Sequence, residues 1–106
     1  MPTTPTPEQI NTVVAFIDRC AREARDRVFA VEEVGGEAAE GIRRTEAGLH
    51  IATVHLGGTA LYELTQAPEP NARTVAVCWE ALTKTAQTWV EHPGYPAFLP
   101  RPDWAR

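Results

Sequence analysis

The stretch LHIATVHLGGTALYELTQA, residues 49–67, decides the fold. Read with a helical period, Leu49, Ala52, Leu56, Ala60 and Leu64 share one side. Read as a hairpin, Gly57-Gly58 makes a two-residue turn between β-tolerant runs. Each interior glycine costs a helix up to ~1 kcal/mol relative to alanine. The surrounding chain tips the balance, because it is helical and no third strand is evident. The fold class expected is all-α, a small three-helix bundle with a proline-rich C-terminal tail. The alternative is α+β, with a β-hairpin around Gly57-Gly58.

Upstream, residues 10–31 read INTVVAFIDRCAREARDRVFAV. Ile10, Val14, Ile17, Ala21, Ala24, Val28 and Val31 recur at alternating steps of four and three, the a/d pattern of one buried seam. Val13, Phe16 and Cys20 widen that stripe. Asp18–Arg22 and Glu23–Arg27 are i,i+4 pairs in the favourable orientation. Thr6 as N-cap, Pro7 at N1 and Gln9 at N3 form a capping box that starts the helix. Gly35-Gly36 is expected to end it. Residues 37–48, EAAEGIRRTEAG, leave a helical turn and a loop both open.

Downstream, PEPN at residues 68–71 is a break. Residues 72–91, ARTVAVCWEALTKTAQTWVE, predict a second clear helix, with Val75, Trp79, Leu82, Ala86 and Trp89 in another four-three rhythm. Pro93 and Gly94 stop it. The domain reading is a flexible leader (1–6), a helical domain (7–92) and a proline-rich tail (93–106).

Composition narrows the function classes. One domain fits 106 residues. A net charge of −4 lacks the basic balance of a typical nucleic-acid binder. Lys84 is the single lysine against nine arginines, which suggests a GC-rich genome. No run approaches the ~20 apolar residues of a membrane span. Residues 1–9 have neither a basic start nor an apolar run, so a cytoplasmic location with reduced Cys20 and Cys78 is expected.

Candidate chemistry is sparse. Glu46 and His50 have i,i+4 spacing, and a metal-dependent enzyme would need a third ligand such as His55 or His92. His50 and His55 lie about 140° apart on a helix and cannot form such a pair themselves. A surface Glu–His pair is the plainer reading, and His92 at a helix end complements the negative end. Cys20 and Cys78 lie on or beside apolar stripes, as buried inert thiols do. No nucleophile–base order or phosphate-cradling glycine loop is present. The expectation is therefore no catalytic residue, no cofactor and no metal. VHLGGTALYEL suits the turn of a helix-turn-helix, with Arg43 and Arg44 toward phosphates, but Thr59, Tyr62, Glu63 and Thr65 are poor base readers.

The tail WVEHPGYPAFLPRPDW, residues 89–104, carries Tyr95, Phe98, Leu99 and Trp104 on a chain stiffened by four prolines. It either folds back over the core or serves a partner. The first is favoured because a small core gains from each buried aromatic. Arg101 with Trp104 offers a cation–π contact in either case.

Three stretches, VVAFIDRCAREARDR, LHIA and the ending with HPGY and a later Trp, resemble a family of small uncharacterised actinobacterial and actinophage proteins. Where that family continues with an HDP step and an arginine-rich helix, this chain has VHLGGTALYEL. The resemblance implies a helix from about residue 49 and carries no known activity.

The function expected is a non-enzymatic interaction or regulatory protein, phage-derived in origin, acting by binding a protein partner or by self-association as a two-fold dimer. Its expected contact surface is Arg19, Arg22 and Arg27 on the first helix with Tyr95, Phe98, Leu99, Arg101 and Trp104 in the tail. A DNA-binding regulator and a Glu46/His50 metal enzyme are the alternatives.

Overall fold

A computed structural model of the protein describes residues 4–31 and 35–105. Three helices follow one another: α1 (Pro7–Val31), α2 (Gly36–Thr65) and α3 (Ala72–Gln87). A single 3-10 turn, Asp103–Ala105, lies in the tail. The described residues contain no strand, so the bundle is all-α and the hairpin alternative is overturned.

Local chemistry sets the helix starts. Thr6 and Gln9 close the capping box: the Gln9 N–H donates to Thr6 Oγ1 at 3.1 Å, and the Thr6 N–H donates to Gln9 Oε1 at 3.0 Å. Asn71 caps α3 by accepting from the Thr74 N–H at 3.0 Å. Gly35 and Gly36 open α2 instead of closing α1. Gly35 is its extended N-cap, and Gly36 has a φ of 62° that a side chain would resist. Of the leader, residues 1–3 lie outside the described residues. Pro5 is buried, and Thr6 caps α1.

Helix α2 is one unbroken element of 30 residues, about 45 Å long. It absorbs residues 37–48, left open above, and runs straight through Gly57-Gly58. Its inward line is Ala39, Thr53, Gly57 and Ala60, flanked by Leu49, Leu56 and Leu64. Ala52, placed on the buried side by the sequence pattern, is exposed.

Helices α1 and α2 form an antiparallel pair. Residue 14 meets 57, residue 18 meets 50, and residue 25 meets 46. Gly57 makes the crossing close: a Cβ there would lie 2.7 Å from Val14 Cγ2 and 3.7 Å from Ile10 Cγ2. Helix α3 packs on both. The core joins Ile10, Val13, Phe16, Ile17 and Cys20 of α1 to Ala60 of α2 and Cys78, Leu82 and Ala86 of α3. The α1 seam is thus centred on Val13, Phe16 and Cys20, the residues that only widened the predicted stripe. Val28, on that stripe, is exposed, because α3 spans only about 24 Å. The remainder of the α1–α2 pair projects beyond it, giving an elongated molecule of 50 × 33 × 19 Å.

Two smaller expectations also change. Helix α3 ends at Gln87, and residues 88–91 form turns rather than its last helical turn. Asp18 and Glu23 do not pair with Arg22 and Arg27 along α1. They reach His50 and His92 across the fold, at 3.0 and 2.8 Å.

The glycines of α2 are therefore not equivalent. Gly57→Ala forces Val14, a β-branched residue with little χ1 freedom in a helix, to give way. The overpacking outweighs the gain in helix propensity, and a net loss of about 1–2 kcal/mol, roughly 5–10 °C in Tm, is expected. Gly41 faces open space, so Gly41→Ala raises Tm. Adding Val14→Ala to Gly57→Ala recovers part of the loss, a coupling that thermal melts of the four-member cycle measure.

Candidate functional site

The tail folds back over α1 and α3. His92, Gly94 and Tyr95 sit beside Phe16. The His92 and Tyr95 rings meet Phe16 edge-on, with centroids 5.5 and 5.8 Å away. The Gly94 N–H donates to His92 Nδ1 at 2.8 Å. That makes Nδ1 an acceptor and leaves the Nε2 proton to reach Glu23 Oε2 at 2.8 Å. Further on, Tyr95 Oη and Gln87 Nε2 both donate to the Pro100 carbonyl, at 2.7 and 3.1 Å. Phe98 stacks on Trp79 with centroids 6.4 Å apart and rings 18° from parallel.

The candidate contact residues divide accordingly. Leu99 is 5% exposed and belongs to the core. Tyr95 is half-buried and bonded within the tail. These two anchor the tail on its own bundle and are not a free surface. Phe98 stays partly outward, Trp104 is 71% exposed, and Arg101 is exposed. The rings under cations are Phe16, with Arg19 at 6.0 Å, and Phe29, with Arg43 at 5.2 Å. Arg101 does not stand over Trp104. Arg22 and Arg27 are exposed on α1.

Glu46 and His50 line a cleft of about 350 Å³ between α1 and α2, with Asp18, Arg22, Arg25 and Arg43. Its charges are largely spent on each other. Arg25 bridges Glu46 at 2.7 Å and Asp26 at 3.0 Å, and His50 meets Asp18 at 3.0 Å. His55 is exposed on α2, while His92 is held by Glu23. Among the described residues no three His, Cys, Asp or Glu side chains gather, so the set required by the metal-enzyme alternative does not converge. The helix-turn-helix alternative loses its turn, because α2 is continuous at Gly57-Gly58. Cys20 and Cys78 are buried free thiols. Burial raises both pKa values above the usual 9.0, and Glu23 adds to the rise at Cys20. A thiol held protonated is a poor nucleophile.

A second concavity is one that sequence reasoning missed. A groove of about 870 Å³ runs along α3, walled by Leu64, Val75, Ala76, Trp79 and Pro100, with Pro5 from the leader. That size falls in the range of ligand sites, and its walls are mainly apolar, as such sites are. Thr83 lines it. Five other helical threonines donate to the carbonyl four residues back, at 2.7–2.9 Å. The Thr83 hydroxyl is buried without any partner. The groove escaped the sequence because it joins the leader, α3 and the tail, which only the tertiary fold brings together.

The chain matches no family model, no curated protein and no solved structure. No helix among the described residues is long and apolar enough to cross a membrane.

Two tests follow from the tail and the thiols. Leu99→Ala opens a cavity under the tail and is expected to cost about 2–4 kcal/mol, whereas Trp104→Ala stays within ~0.5 kcal/mol in urea denaturation. The folded thiols hold protons that the unfolded chain releases near 9.0. Their contribution is complete below that pH and is lost as pH rises from it through the higher folded values. The urea midpoint therefore falls between about pH 7.5 and about pH 10, and a Cys20→Ala, Cys78→Ala variant has a flatter profile.

Proposed function

We propose that this protein is a non-enzymatic interaction module, and that the groove along α3 receives an extended, proline-containing segment of a partner protein. The observation that carries this reading is the chain's own tail. A proline-punctuated segment already sits at one wall, with its carbonyl on Gln87 Nε2 and its ring on Trp79. Such segments are stiff before docking, lose little entropy on binding and favour aromatic-lined grooves. Pro100 shares the groove wall with Leu64, Val75, Ala76 and Trp79. The arginines of α1 fall outside this site, so the contact surface shifts from the first helix to α3 and the tail.

Selection from a displayed library of random peptides tests the proposal. Wild-type protein is expected to enrich proline-containing sequences. Synthetic copies should lose at least tenfold in affinity for Ala76→Arg, which fills the groove from an exposed position, but not for Val77→Arg, outside it. Failure to enrich any peptide, or equal binding to Ala76→Arg, contradicts the proposal.

A further inference from the structure

We infer that Arg73 sets the specificity of the α3 groove, selecting partner segments that carry an aspartate or glutamate about three residues from their proline. The inference rests on the reading of the groove as a peptide site and adds the charge that its ligand must bring.

Among the described residues lining the groove, three are charged: Arg73, Glu80 and Lys84. They are not equivalent. Lys84 Nζ lies 2.9 Å from Glu80 Oε1, an i,i+4 pair that cancels within α3. Arg73 is exposed and has no carboxylate partner among the described residues. The first turn of α3 holds no acid that could take it. Glu69, in the turn before α3, neither lines the groove nor pairs with Arg73. The groove therefore keeps one uncompensated positive charge, on a chain whose net charge is −4. A ligand lying along α3 completes the ion pair only if it is acidic there.

Helix geometry fixes where the acid belongs. Arg73 and Trp79 are six positions apart in α3, about 9 Å along its axis. An extended proline-rich segment advances about 3.1 Å per residue. A proline on the ring of Trp79 thus places the carboxylate of a residue about three positions away beside Arg73, in either chain direction. Ala76, small and exposed, lies midway and leaves that path open. The guanidinium suits the task, because its planar fork takes both oxygens of a carboxylate. An exposed pair of this kind adds little to affinity. Its effect is discrimination, since a lysine or arginine at the same place of the ligand is repelled.

Selection from the displayed peptide library, run in parallel on wild type and on Arg73→Glu, is the test. Wild type is expected to enrich proline with an acid about two to four residues away. Arg73→Glu is expected to keep the proline and to enrich lysine or arginine in place of the acid. In synthetic copies of a wild-type-selected peptide, changing that acid to lysine should lower affinity for wild type about 5–10-fold, and the lysine peptide should regain it on Arg73→Glu. The difference should shrink in 0.5 M salt, where exposed pairs are screened within about 4–5 Å. Arg73→Glu retains the wild-type Tm or exceeds it, because a glutamate suits the first turn of a helix. Arg27→Glu makes the same change of net charge on α1, outside the groove, and should select as the wild type does. Proline enriched with no acid near it, a preference that Arg73→Glu does not reverse, or an equal shift with Arg27→Glu would overturn the assignment of Arg73 and leave the groove reading standing. Failure to enrich proline at all contradicts both.

Discussion

Val14 rests against the bare backbone of Gly57, and the rest of the bundle depends on that contact. A methyl group of α1 occupies the space a side chain at residue 57 would need. The two long helices can therefore approach closely, and Phe16, Ile17 and Cys20 can fill the angle between α1 and α3. The crossing also fixes register. Once residue 14 faces 57, Asp18 faces His50 and Arg25 faces Glu46, so the partly exposed ion pairs record the alignment more than they cause it. Their individual contributions to stability are small. The buried apolar set around Phe16 supplies the free energy, and the tail adds to it through Leu99.

The sequence made much of this legible, though unevenly. The capping box at Thr6 and Gln9, the four-three rhythm of Val75, Trp79, Leu82 and Ala86, and the break before Asn71 are local features decided by local chemistry. They stand in the structure as read. The N-terminal half of α2 was obscure for a physical reason. Its seam positions are Ala39, Ile42 and Glu46, and these are small, apolar and charged in turn, so no periodic signal survives. Glu46 takes a seam position because Arg25 lies across from it. Gly57 misled in the opposite way, since a helix-weakening residue marks the tightest packing. The centring of the α1 seam on Val13, Phe16 and Cys20 likewise follows from where α3 lies. The groove was illegible because Pro5, Leu64, Ala76 and Pro100 are far apart in the chain.

The surfaces left over differ in kind. The projecting α1–α2 end is charged and internally paired, with Arg44 on Glu40 and Arg25 on Glu46. The α3 groove is mainly apolar, and the tail forms part of its wall through Pro100. Cys20 and Cys78, by contrast, act as small apolar side chains, each held protonated by burial.

The continuity of α2 through Gly57-Gly58, with α1 seated on it, is most directly tested by NMR. Nuclear Overhauser contacts should join a Val14 methyl to both Gly57 α-protons, and Cα secondary shifts should stay helical from Thr53 to Leu61. Absence of the Val14–Gly57 contact, or extended shifts on either side of the glycine pair, would contradict the account.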